Sequence, residues 1–235
     1  MIKRLLFYNF RFYSRSHKFI VPLMIYLAMF AILYSTKPLE VMNTYGTTAM
    51  FIFIIAVVIT YSFMEIEDPV QQQLSILSLR NDNKYYFCKV LFIWIIISLM
   101  SVIIVLYPMI FGFFNRSVTL SDFFAALLGN IVLGLLGVCV SVLFNSRLFQ
   151  SRRFATIALI TVILFSVIQK AIIIKYPSVR WGLYILPPVS FVVDKMSNFE
   201  DVAGISVLFL AFASSLVYSS ILLALYIKLM KVKMF

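Results

Sequence analysis

Six apolar stretches dominate the chain: Phe19–Ser35, Thr47–Met64, Val90–Phe114, Phe123–Phe144, Phe154–Ile174 and Gly204–Ile227. Each approaches the ~20 residues that a helix rising ~1.5 Å per residue needs to cross a hydrocarbon core ~30 Å thick. Lipid offers the backbone nothing to bond to, so such stretches satisfy their N–H and C=O groups only as helices. The runs are continuous, which excludes the alternating pattern of a membrane barrel. An all-α membrane protein with six transmembrane helices is expected. Of 235 residues, 63% are hydrophobic and 12% charged, against about half and about a quarter in soluble domains. A soluble enzyme, a disordered tail and a fibrous repeat are thereby excluded.

An even number of spans puts both termini on one side. The segments that share that side, residues 1–18, 80–89, 147–153 and 228–233, hold fourteen of the 20 Lys and Arg. Positive charge is retained on the cytoplasmic face, so both termini are expected in the cytoplasm of a multi-pass cell-membrane protein. The net charge of +11 then records topology, and nucleic acid is not an expected partner. No small-residue cleavage site follows the first apolar run, which reads as a retained helix.

Residues 1–18 are too polar to span. On a helical wheel Arg4, Arg11, Arg15 and Lys18 share one face, and Ile2, Leu5, Leu6, Phe12 and Tyr13 the other, with Phe7 and Asn9 out of place. The segment reads as an amphipathic interfacial helix facing anionic membrane lipid, or as a basic flank that orients the first span. In the loop after the second span, Asp68, Pro69 and Gln71 fit a helix start: a capping oxygen, a proline in the first turn, and a Gln that can reach back. Beyond it Ile66, Val70, Leu74 and Leu77 share a face, which predicts a short amphipathic helix at about 66–80. Between the last two spans Trp181–Val193 is apolar, too short to cross, and broken by Pro187-Pro188. A re-entrant element at about 181–193, serving as an outer gate, is one reading. An interfacial belt built on Trp181 and Tyr184 is the other.

Little chemistry is available. One His and two Cys supply neither a metal site nor a nucleophilic triad, so no catalytic, metal or cofactor-binding residue is assigned. Cys88 and Cys139 read as packing residues. Gly129 and Gly134 have the spacing of a phosphate loop, but Leu135 and Leu136 stand where Lys and Ser/Thr are required. Close helix packing explains Ala125, Gly129, Gly137 and Ser141 better, and likewise Ala211, Ser215 and Ser219. Lys170 is the one ionisable side chain at membrane depth, either functional or snorkelling to the outer surface.

The whole-chain topology resembles the permease subunit of ABC type-2 exporters. The residues that carry the resemblance are an acidic side chain after span two (Glu65 or Glu67), a short helix over Asp68–Leu79, and Lys89 at the start of span three. It departs from the family pattern at Asp68-Pro69, where members often have Gly-Thr, and near Leu79, where they often have Pro. Among small permeases it is similar to lantibiotic-immunity transporters and exporters of phenol-soluble modulins. The resemblance implies an ATP-driven exporter of an amphipathic or hydrophobic substrate, a peptide by analogy, in a bacterial cell membrane. It further implies a partner ABC ATPase that binds ATP and Mg, and a second permease copy or a sister permease. In that arrangement Glu65, Glu67, Asp68, Val70, Leu74, Leu77 and Arg80 would form the coupling interface with the ATPase. Trp181, Tyr184, Pro187 and Pro188 would form the outer gate. The chain itself would then be no enzyme. The alternatives are the substrate-binding membrane component of an energy-coupled vitamin importer, or an ion-driven transporter. The first would need a polar pocket near the outer face, and the second carboxylates inside the spans.

Overall fold

A computed structural model describes residues 2–79, 82–145, 148–149, 151–199 and 205–234. Helices succeed one another as α1 (Ile2–Arg15), α2 (Ile20–Leu33), α3 (Val41–Met64), α4 (Pro69–Leu79), α5 (Asp82–Ile110), α6 (Leu120–Leu143), α7 (Arg152–Lys175), α8 (Arg180–Leu183), α9 (Val189–Ser197) and α10 (Ile205–Met234). Among the described residues the one β-type pairing is an isolated bridge between Leu39 and Phe114.

Five of these helices, α3, α5, α6, α7 and α10, are long and apolar enough to cross a membrane. The first expected span is different. α2 has 14 residues, only about 21 Å, and reaches six spans only if α1 and α2, set at 82° to each other, count as one bent element. The bend lies at Ser16–Phe19, where His17 takes φ +55°, a left-handed turn typical of helix C-termini. Hydropathy marks the boundary, since the apolar run begins at Phe19 directly after the polar residues Ser14–Lys18, but it carries no sign of the change of direction there. α3 and α5 in turn begin several residues before their apolar runs. Their first turns carry Asn43, Thr44, Lys84 and Tyr85, which an apolar count leaves out.

α6 is the centre of the bundle, with α3, α5 and α10 against it. Its small residues make this possible. A Cβ on Gly137 would stand 2.6 Å from the Phe53 carbonyl oxygen, and one on Gly134 would meet Ile97. Ser141 donates to the Val57 carbonyl at 3.0 Å. The α6 stripe expected from sequence therefore packs within the subunit, chiefly on α3, and Ala211, Ser215 and Ser219 of α10 are equally buried. α7 and α2 instead present rows of exposed apolar side chains, including Ile157, Leu164, Met24 and Leu27.

Pro108 interrupts α5. It has no N–H to give the Ile104 carbonyl four residues earlier, and that carbonyl accepts instead from the Tyr34 hydroxyl at 3.1 Å. Tyr26 and Tyr45 likewise donate to α5 carbonyls, those of Met100 and Val105. α5 closes on Gly112 at φ +60°, with Phe113 N–H on the Pro108 carbonyl at 3.1 Å, a glycine cap. α6 opens with a reciprocal cap between Thr119 and Asp122, and Arg116 pairs with Asp122 at 2.7 Å.

The basic segments lie at one end. Lys18 donates to the Glu65 carbonyl, Arg152 pairs with the Glu65 carboxylate, and Lys84, Lys228 and Lys231 line one cleft.

Gly137→Ala, a single methyl directed at a backbone oxygen, should destabilise the detergent-solubilised protein by about 1–3 kcal/mol. Gly182→Ala, with nothing within 4 Å of its Cβ, should leave the midpoint of thermal unfolding unchanged. Equal effects would show that the α3–α6 approach is not the constraint.

Candidate functional site

At the basic end, α4 forms where its start signals predict. Asp68 Oδ1 accepts from Val70 N–H at 3.0 Å and the Asp68 carbonyl accepts from Gln72 N–H at 3.0 Å. Gln71 does not reach back to complete a capping box; its amide donates to the Tyr8 hydroxyl at 2.9 Å and ties α4 to α1. The exposure of α4 is inverted. Gln72 and Ile76 are buried, whereas Val70, Leu74 and Leu77 are 64%, 63% and 73% exposed. Gln72 donates to the Tyr86 hydroxyl at 3.1 Å, and Tyr86 stands edge-on to Tyr226 of α10. The apolar face that usually seals a helix to its own protein here points away from it.

The two acids ahead of α4 are engaged inside the chain. Glu67 is 7% exposed, and its carboxylate accepts from both Lys89 Nζ and the Tyr85 hydroxyl. Lys89, itself 3% exposed, stands 4.9 Å from the Tyr85 ring centroid and 5.9 Å from that of Phe63. Glu65 pairs with Arg152 at 3.2 Å. Sequence pairs an acid after span two with Lys89 only as a pattern; the fold makes Glu67 and Lys89 a buried ion pair, which takes Glu67 out of reach of a partner's surface. Asp68 stays exposed. Arg80 lies outside the described residues.

At the other end α9 packs among α3, α6, α7 and α10, with Val189, Val192 and Met196 wholly buried. A methyl on Gly129 would overlap the Met196 thioether, and one on Gly46 would meet Ser197. Gly129 is nine residues into α6, so Met196 sits about 13 Å along that helix from its first residue. The chain breaks at Pro187-Pro188 as expected, between α8 and α9. Trp181 is 82% exposed. Tyr184 accepts from Arg180 Nε at 2.6 Å, and the Ile185 carbonyl accepts from Tyr218 of α10 at 2.7 Å.

Lys170 does not simply snorkel. It forms an ion pair with Asp194 of α9, and Asn198 donates to the same carboxylate oxygen at 3.0 Å. Beside it Gln169 donates to the Leu183 carbonyl at 2.8 Å and accepts from Ser190 at 3.2 Å. Two cavities, of about 440 and 370 Å³, both carry Lys170, Ile174, Ser190 and Asp194 in their walls. Asp194 escapes a reading of spans because it merely bounds an apolar run; the signal was the unanswered Lys170, since a charge at that depth calls for a partner. Cys88 and Cys139 are buried free thiols. Among the described residues no three His, Cys, Asp or Glu side chains gather as metal ligands.

No protein-family model matches this chain, and neither does any curated protein or solved structure.

Breaking a buried pair by removing one partner strands a charge and costs about 3–5 kcal/mol, whereas replacing both by apolar or neutral groups is often tolerated. Lys89→Met and Glu67→Gln should each lower the unfolding midpoint, and the double variant should recover most of the loss. A double variant as unstable as the sum of the two singles would mean the residues act independently.

Proposed function

We propose that this chain is the membrane-spanning subunit of an ATP-driven exporter of the ABC type-2 class, with ATP and Mg bound on a separate ATPase subunit. The observation that carries the reading is the inverted α4. A helix of 11 residues presents Val70, Leu74 and Leu77 outward while hydrogen bonds and the Glu67–Lys89 pair fix it to α1 and α5. An exposed apolar stripe on a rigidly held short helix suits helix-in-groove docking. The partner that groove belongs to is the ATPase, and Asp68 is the acid left to meet its rim. The substrate is amphipathic or hydrophobic, a peptide by analogy, moved outward across a cell membrane in which both termini face the cytoplasm. A second permease copy or a sister permease completes the assembly. The segment spanning Trp181 to Val193 serves as the outer gate: broken at Pro187-Pro188, it packs into the bundle through α9, whose Val189 and Val192 are buried, while Trp181, Tyr184 and Ile185 ahead of the break stay exposed.

One observation favours another energy source. The Lys170–Asp194 pair beside two cavities sets a carboxylate against an ammonium between α7 and α9, and charged groups at such depth mark ion pathways in ion-driven transporters. The two readings differ in what the membrane must supply.

Affinity purification from native membranes should bring down an ATPase, and the reconstituted complex should hydrolyse ATP while the chain alone does not. Leu74→Asp should abolish the pull-down, because an unpaired charge in a docked apolar face removes its anchor. Transport that persists without ATP and follows the proton gradient would overturn the export reading in favour of ion coupling.

The gate is tested separately, by single Cys substitutions along Leu183–Val193 after replacing Cys88 and Cys139. A membrane-impermeant thiol reagent should label them poorly at rest and more during ATP turnover. Uniform, nucleotide-independent labelling would reduce the segment to an exposed loop.

A further inference from the structure

The first turns of α5 and the last turns of α10 leave between them an open cleft of about 550 Å³. Asn83, Lys84, Lys228 and Lys231 form its rim, and Phe87, Ala224 and Ile227 its floor. Asp82 opens α5 but does not line the cleft. From Phe87 a second recess of about 250 Å³ continues between the same two helices with α6 behind them, walled by Leu91, Trp94, Leu135 and Leu223 together with Ser219 and Ser220.

The spacing makes this one continuous groove. Lys84, Phe87, Leu91 and Trp94 follow one another at three- and four-residue steps on α5, as do Lys231, Ile227, Ala224 and Ser220 on α10, so each set lies on a single helix face. From Lys84 to Trp94 the groove runs about 15 Å, half of a hydrocarbon core about 30 Å thick, which is the depth of one leaflet. The polar groups along it are already satisfied. Trp94 Nε1 donates to the Ile131 carbonyl at 3.3 Å, Ser219 to that of Ser215 at 2.7 Å, and Ser220 to that of Leu216 at 2.8 Å. A guest therefore meets three ammonium groups at the mouth and an apolar slot one leaflet deep behind them.

We infer that the α5–α10 groove is a binding site for an anionic phospholipid, its phosphate held by Lys84, Lys228 and Lys231 and one acyl chain laid along the slot as far as Trp94. The charge selects the headgroup, and the slot separates a lipid from a free phosphate ester, which would use the rim alone. The inference needs only a chain that spans a bilayer. It stands whether the energy for transport comes from ATP or from an ion gradient.

Trp94 reports on its own site. The chain has two tryptophans, so Trp181→Phe leaves Trp94 as the sole indole. In phosphatidylcholine nanodiscs, phosphatidylglycerol with brominated acyl chains should quench Trp94 at about tenfold lower mole fraction than phosphatidylcholine brominated in the same way, since each lysine near a membrane surface adds to anionic-lipid affinity. The K84Q/K228Q/K231Q variant should lose that preference, and K84R/K228R/K231R should keep it. Equal quenching by the two lipids in the parent protein would overturn the inference and leave an ordinary lipid annulus. So would a preference that survives loss of all three lysines. The chain-free headgroup glycerophosphoglycerol, added in the millimolar range, should not relieve quenching; full relief would assign the rim to a free phosphate ester instead.

Discussion

Inside a bilayer a polar group that loses its partner finds no water to replace it, and the bundle is arranged around that condition. Pro108 deprives the Ile104 carbonyl of its helical donor, and the Tyr34 hydroxyl takes the place. Lys89 is drawn into the first turns of α5, and Glu67 and Tyr85 close around it. Lys170 points out of the last turns of α7, and α9 brings Asp194 to it. Tyr34, Glu67 and Asp194 each come from a segment other than the helix they serve, so each also fixes how two elements sit against one another. Packing without polar groups does the rest, through the small residues of α6 that let α3 approach until Gly137 faces the Phe53 carbonyl.

Hydropathy made the long helices legible because their apolar runs exceed what any soluble core helix requires. It marked the start of the first span beside the polar residues Ser14–Lys18 but not the change of direction there, and the turn at His17 leaves α2 with 14 residues. Periodicity located α4 correctly yet does not say which face is turned inward. Gln72, a polar residue, is the buried one because Tyr86 offers it a hydrogen bond, and a long-range partner of that kind leaves no trace in local spacing. Glu67 is similar. An acid after span two is visible in sequence, but whether it greets a partner or pairs inside the chain depends on Lys89 and Tyr85, twenty-two and eighteen residues away. Asp194 was least legible. Its partner lies on another helix, and its apolar neighbours look equally at home in lipid and in protein.

The same ambiguity explains why the small-residue stripe of α6 was recognisable while its destination was not. Lipid tails and leucine side chains are equally apolar, so a close-packing motif promises a neighbour without naming it. The stripe is spent within the chain, Gly137 and Ser141 on α3 and Gly129 on α9. That leaves α2, α7 and α10 with broad exposed apolar faces.

On the export reading, the two ends of the molecule have one element in common. α3 carries α4 directly after its C-terminal turn, where Glu65 and Glu67 anchor the junction to α7 and α5. Near its N-terminal turn, Gly46 lies against Ser197 at the end of α9. A helix of 24 residues is about 36 Å long, and it is gripped near its middle where Gly137 meets Phe53. A push on α4 therefore acts on a stiff rod held at its centre, and tilting that rod displaces its two ends in opposite senses. Interfaces packed this tightly move as bodies and do not deform smoothly. The end that must give is the one with space beside it. The two cavities flanking the Lys170–Asp194 pair provide that space next to α9, whereas Val41, Met42 and Tyr45 are buried at the same end of α3. Motion delivered there has α9 as its nearest outlet, and the ion pair and the Ser190–Gln169 hydrogen bond between α7 and α9 are polar contacts it would have to break.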